Sequence, residues 1–271
     1  MRLRPSHARS AGVRARVRAV PCCTIDVMRP ARIPLSGFPD VILHAEELSV
    51  KKSSYYAAAK GGDADAADLL VADMIRRDCI PSLMMLMESR QARLLPIHAL
   101  ESKGVNEIPA AMAKLLSGWL GFPVEASIVQ ANTVGHTGAS GFQRLANQAC
   151  FVGEVECGER YLIVDDFVGQ GGTLANLIGY IESQGGHAVG ATVLTGKPYS
   201  AMLAPHDLHI QALKDRHGRE FEDWWRETFG FGFNCLTRSE ARYLENSPDA
   251  QTIRDRLTAA GLESRSGPTD G

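Results

Sequence analysis

None of the six cysteines of this chain forms a Cys-x-x-Cys pair, and there is no internal repeat. That excludes a thioredoxin-like redox motif and the usual spacing of a structural zinc site. No apolar run approaches the length needed to cross a membrane, and the amino terminus lacks the apolar core of a secretory signal. The expectation is a reduced, cytoplasmic, soluble protein with no membrane partner. Neither sign of charge prevails: 29 Lys and Arg face 31 Asp and Glu, for a net charge of −2. That argues against nucleic acid as a partner of the whole chain. The one local imbalance is Met1 to Pro21, with six arginines and no acid. It reads as a basic arm, an Arg-rich targeting segment or a disordered extension, and Met28 would be a natural alternative start. With 271 residues and 45% hydrophobic content, one main domain with additions is expected.

The most informative stretch is Tyr161-Leu-Ile-Val-Asp165-Asp166-Phe-Val-Gly169-Gln170-Gly171-Gly172-Thr173. It reads as a buried strand over Tyr161–Asp165, two carboxylates at its end, a glycine turn and a helix. Leu174, Leu177, Ile178 and Ile181 then recur at helical spacing, and Gly185-Gly186 closes the helix. A glycine turn at a helix amino terminus offers backbone N–H groups and a positive dipole end to a phosphate. Two acids just before it suit the hydroxyls of a sugar carrying that phosphate. The same acids also read simply as a polar strand end capping a loop.

Upstream, Arg93 to Leu100 reads as a strand, although Pro96 cannot donate to a ladder. The loop Glu101-Ser102-Lys103-Gly104-Val105-Asn106 and a helix over Ile108–Trp119 follow. Val124–Gln130 reads as a further strand. Ala131 to Arg144 is rich in Gly, Ser and Thr, too polar for core and too long for an ordinary turn. His187–Leu194 reads as the strand after the acid pair. This alternation argues for a parallel sheet with covering helices.

The strand, acid pair and glycine turn resemble the ribose-phosphate signature of the type I phosphoribosyltransferases, and the resemblance spans roughly Leu94 to Leu194. It departs at Gly169 and Gln170, where the family has small hydroxyl residues; backbone amides can form a phosphate nest without them. The resemblance implies an α/β fold, a parallel sheet flanked by helices, with a small hood or helical C-terminal addition. It implies phosphoribosyl pyrophosphate as donor, an unidentified nitrogenous small molecule as acceptor, and Mg²⁺ bound mainly through the pyrophosphate. It assigns Asp165 and Asp166 to the ribose hydroxyls. Gly169, Gln170, Gly171, Gly172 and Thr173 would wrap the 5-phosphate, Lys103 and Gly104 would meet pyrophosphate, and His136 or Arg144 would close over the leaving group. Lys103 reads equally as a solvated loop lysine, and His136 and Arg144 as plain polar loop residues. A homodimer is an open partner.

Two other readings compete. One is a non-catalytic sensor that kept the sugar-phosphate pocket for regulation. The other, a Rossmann-type nucleotide domain starting at Gly169-Gln-Gly171, lacks the third glycine and has its acids before the turn. The remaining segments carry less. Val41–Ala45 reads as a strand and Ala64–Arg77 as a helix, while Leu83–Met87 is too short to assign. Leu208–Ala212 reads as a strand and Glu220–Phe229 as an aromatic helix. Thr237 to Glu240 is a capping box, and Ser247-Pro248 opens a last helix ending at Gly261. His206, Asp207 and His209 are too few for zinc, and Trp224-Trp225 reads as core packing before base stacking. The expected organisation is a disordered extension over 1–27, an N-terminal helical segment over 28–90, a core over 91–200 and a C-terminal addition over 201–271.

Overall fold

The computed structural model describes residues 29–87, 92–101, 104–132 and 139–265. Lys103 and His136 lie outside the described residues, as do the Arg-rich arm and Met28. In chain order, β1 (Ile42–Ala45) leads into four helices: α1 (Glu47–Lys52), α2 (Tyr56–Lys60), α3 (Ala64–Met74) and α4 (Ile80–Met87). Then come β2 (Arg93–Pro96), a small antiparallel pair of β3 (Leu100–Glu101) and β4 (Gly104–Val105), and α5 (Ile108–Leu120). A second small pair, β5 (Val129–Gln130) and β6 (Phe151–Val152), flanks α6 (Gly141–Ala146). The unit β7 (Arg160–Val168), α7 (Gly172–Ser183), β8 (His187–Gly196) follows. The chain ends in α8 (Pro198–Ala201), α9 (Asp207–His217), α10 (Arg219–Phe229), α11 (Arg238–Glu245) and α12 (Ala250–Arg265).

The main sheet has four parallel strands in the order β1-β8-β7-β2. Its interior strand β7 is fully buried from Tyr161 to Val164, and a strand covered on both faces reads as an unbroken apolar run. The pleat divides those residues between two cores. Tyr161 and Ile163 join Leu174, Leu177, Ile178 and Ile181 of α7. Leu162 and Val164 join Leu70 of α3 with Ile108, Met112 and Leu116 of α5. Pro96 is tolerated because β2 is the last strand of the sheet. The C-terminal helices enclose a third core, with Phe221, Trp225 and Phe233 packed beside Phe142 and Leu145 of α6.

Several expected elements differ. Leu208–Ala212 is helical, inside α9. The His206 ring accepts a hydrogen bond from the Leu208 N–H at 3.2 Å and caps that helix, which the local alternation of residue types concealed. Val124–Gln130 is not a strand of the main sheet. It makes one parallel bridge to Leu94, and only Val129–Gln130 pairs, with β6. The Glu125 side chain accepts from the Ser127 N–H at 2.8 Å, a local bond that competes with a ladder. Helix α3 stops at Met74, Leu83–Met87 belongs to α4, and α12 runs through Gly261 to Arg265.

Candidate functional site

The carboxyl ends of the parallel strands open into a cleft of about 380 Å³, where open α/β sheets hold ligands. Asp165, Asp166, Arg144 and the whole turn Gly169, Gln170, Gly171, Gly172 and Thr173 line it. Gly104 is not among the lining residues; Asn106, two positions on, is.

Asp165 and Asp166 lie inside β7 rather than at its end, since pairing with β8 continues through Phe167 and Val168. Both are buried, each 7% exposed. Adjacent residues of a strand face opposite ways, so the two carboxylates have different surroundings. Asp165 accepts a hydrogen bond from the Asp166 N–H at 2.8 Å. Burial, reinforced by the neighbouring Asp166 charge, pushes the Asp165 carboxyl well above its usual range. Asp166 pairs with Lys60 at 3.0 Å.

The turn is shaped by what packs on it. Gly171 has φ 81°, the left-handed region, and starts α7. A methyl on Gly169 would sit 2.8 Å from Arg144 Nη1, so the guanidinium of α6 occupies the space that a hydroxyl side chain would need. The first turn of α7 leaves N–H groups without intrahelical acceptors, at the positive end of its dipole.

Beneath the turn lies a buried ion pair between Arg32 and Glu240, their side chains 0% and 3% exposed. Arg32 donates to both Glu240 oxygens, at 2.6 and 2.8 Å, and to the Gly172 carbonyl at 3.4 Å. Its Nε donates to Asn176 of α7. Glu240 also accepts from the Thr237 N–H at 2.8 Å, completing the expected capping box. The Thr237 hydroxyl donates to the Gln170 carbonyl at 2.6 Å. The C-terminal helices thus grip the turn from outside.

Sequence reasoning missed Lys60, Lys197 and Arg32, and saw in Glu240 only a cap. Lys60 and Lys197 both line the cleft, with Lys51 and Arg144. On the acidic side, Glu47 is paired with Lys51, Glu240 with Arg32 and Asp166 with Lys60, while Asp165 is driven toward its neutral form. Lys51, Lys60, Arg144 and Lys197 thus face Glu47, Asp165, Asp166 and Glu240 across one cleft, and the upward shift of Asp165 moves that balance toward positive charge, which suits an anion. Among the described residues no group of three or more His, Cys, Asp or Glu could hold a metal ion, and no helix is long and apolar enough to cross a membrane.

No protein-family model matches the chain. It is 40% identical over 235 residues to Protein TraN of Escherichia coli, covering 87% of this chain and 52% of that protein. It is also 40% identical over 144 residues to an uncharacterized protein of Haemophilus influenzae, covering 53% and 32% of the two chains. The chain spans about half the length of the first relative and about a third of the second. Among solved structures it is similar to an adenine phosphoribosyltransferase, with TM-score 0.33 and 11% identity over 51% of this chain and 72% of that one. The UMP synthase of Leishmania donovani gives 0.30 and 16%, over 70% and 34% of the two chains. At these scores the likeness adds nothing to the architecture, which stands on the strand order and register above.

Proposed function

We propose that the chain is a phosphoribosyltransferase, moving ribose 5-phosphate from phosphoribosyl pyrophosphate to a nitrogenous acceptor. The C–O bond to pyrophosphate breaks, a C–N bond forms, and the acceptor nitrogen loses a proton. The observation that supports this reading best is one convergence. Two carboxylates of a central strand, a glycine turn and a helix amino terminus share a cleft with Lys60, Arg144 and Lys197.

In this reading the turn amides and the amino terminus of α7 hold the 5-phosphate. Arg32 neutralises Glu240, which would otherwise repel a phosphate there. Asp165, kept toward the protonated form, can donate to one ribose hydroxyl, and Asp166 accepts from the other. The Asp166 charge favours the positive character that grows on the ribose as the bond breaks, a charge effect felt most in the transition state. Arg144 and Lys197 supply positive charge for the phosphates, and Lys103 and His136 keep the roles that the family resemblance gives them. The donors fit Mg²⁺ carried by the substrate: one ionised carboxylate beside phosphate oxygens and waters is a common set. When bound, the ion would neutralise the departing pyrophosphate.

Incubation of the protein with isotope-labelled phosphoribosyl pyrophosphate and a metabolite pool tests the reading through labelled product. Calorimetry with and without Mg²⁺ should show Mg²⁺-dependent binding of the donor. Changing Asp165→Asn together with Asp166→Asn should lower turnover on the order of a hundredfold or more, with a smaller loss of ground-state affinity. Absence of binding by the unaltered protein at millimolar donor would sink the proposal. Binding without turnover against a broad panel of bases would move it to the regulatory sensor.

A further inference from the structure

Lys60 ends α2, on the sheet face carrying Leu162, Val164 and Ala59. It reaches into the cleft to pair with Asp166, at 3.0 Å, with 18% of its side chain exposed. Its backbone is fixed from the other side. The Glu107 N–H donates to the Ala59 carbonyl at 3.2 Å. A Cβ on Gly104, whose φ is 131°, would lie 2.5 Å from the Gly61 carbonyl oxygen. The loop after β2 therefore serves, at Gly104, as the bed on which the end of α2 rests. Only a residue without a side chain permits that approach.

This arrangement places an ammonium group on the carboxylate that the ribose hydroxyls would need. Resting on the reading above, we infer that Lys60 is an exchange residue. With the site empty it holds Asp166, and when phosphoribosyl pyrophosphate enters it passes to the pyrophosphate and frees Asp166 for the ribose. A lysine suits this work. Its head is a compact point charge with three donors on a flexible stem, and a polyanion attracts it more strongly than one carboxylate does. The lysine end of the pair keeps access to the cleft, so the ammonium can leave Asp166 once a stronger partner arrives. The exchange links the two halves of the substrate, because the ribose gains its acceptor only when the pyrophosphate takes the lysine.

The consequence is a pair of opposite signs. In Lys60→Met, binding of phosphoribosyl pyrophosphate should weaken at least tenfold. Binding of ribose 5-phosphate should stay level or tighten, since nothing then competes for Asp166. Lys60→Arg should keep most of the donor affinity. All three proteins are titrated by calorimetry with each ligand in Mg²⁺, after thermal unfolding has shown that they fold. Parallel weakening of both ligands would reduce Lys60 to a structural support and overturn the exchange, as would unchanged donor binding in Lys60→Met. Failure of the unaltered protein to bind the donor would instead overturn the phosphoribosyltransferase reading and carry the exchange down with it.

Discussion

Two ion pairs join the early part of the chain to this site, and they are built differently. Lys60–Asp166 spans 106 positions of sequence and joins its partners at 3.0 Å at the edge of the cleft. Arg32–Glu240 spans 208 positions. It is closed to solvent, doubly bonded and continued through Asn176, Gly172, Gln148 and the Cys235 carbonyl, with the Phe231 ring 4.8 Å from the guanidinium carbon. A buried charge is costly unless every donor and acceptor is met. Arg32 meets that demand, and its rigid planar fork allows no second arrangement. Lys60 has solvent access and a flexible stem. One pair therefore fixes the glycine turn to the C-terminal helices, and the other remains free to change partners.

The sharpest break in this comparison is Arg32→Met. It strands the Glu240 carboxylate in the interior and should cost about 3–5 kcal/mol of stability, read by urea unfolding. Replacing both partners, Arg32→Met with Glu240→Met, should recover part of the loss because no lone charge remains. Lys60→Met also leaves a buried carboxylate, Asp166, without its partner, but at a cleft edge that water can reach, so it should cost less, about 1–3 kcal/mol. Equal losses in the two single variants would erase the distinction between a fixed and an exchangeable pair.

A third buried polar group sharpens the contrast, because its hydrogen-bond partners carry no charge. His44, 1% exposed, has its Nε2 2.9 Å from the Thr192 hydroxyl, and its Nδ1 accepts from the Arg76 N–H at 3.2 Å. Burial lowers its pKa from 6.5 to about 4; the Arg76 charge acts in the same direction and the Asp78 charge in the opposite one, both more weakly. The folded form binds its proton less well than the unfolded chain does. The stability involved is fully present above pH 6.5 and is lost as pH falls toward 4. A shift of that size corresponds to about 3 kcal/mol. Asp165 has the opposite sign, since its raised pKa favours the fold at low pH. Subtracting the stability curve of His44→Gln from that of the unaltered protein isolates the histidine. A difference that stays flat between pH 7 and 4 would show that His44 titrates normally.

The legible part of the molecule is the part whose causes are contiguous. In the β7–α7 unit the apolar run, the acids, the turn and the amphipathic helix all lie within one short stretch, so strand, turn and helix could be read in order. The capping box at Thr237 and Glu240 was legible for the same reason. Lys60 was not, because nothing in Tyr56-Ala-Ala-Ala-Lys60 announces a carboxylate 106 positions later. Arg32 likewise stands beside Ile33 and Pro34 with no local sign of Glu240. Leu208 and Ile210 misled in another way. Apolar residues two apart gave a strand pattern, but Leu208 is 73% exposed and the cap at His206 decides for helix. Gly104 was singled out for its place between a strand and a helix, and its backbone contact with Gly61 only the folded chain could reveal.

The smallest expected effect locates where the fixed pair begins to matter. Residues 1–27 are Arg-rich, and their first 21 positions hold no acid, a composition with little to bury. Removing them should change stability by less than about 0.5 kcal/mol and leave binding of phosphoribosyl pyrophosphate unaltered. Extending the cut through Arg32 should produce at least the loss seen for Arg32→Met, because it takes away the same guanidinium. The two truncations differ by five residues at most in what they sacrifice near the turn, so a steep step between them assigns the effect to the segment carrying Arg32. A large loss already in the shorter truncation would mean that the basic arm itself supports the domain, and the anchoring of the turn would then have to be shared with it. Thermal unfolding and calorimetry on both truncated proteins decide between these outcomes.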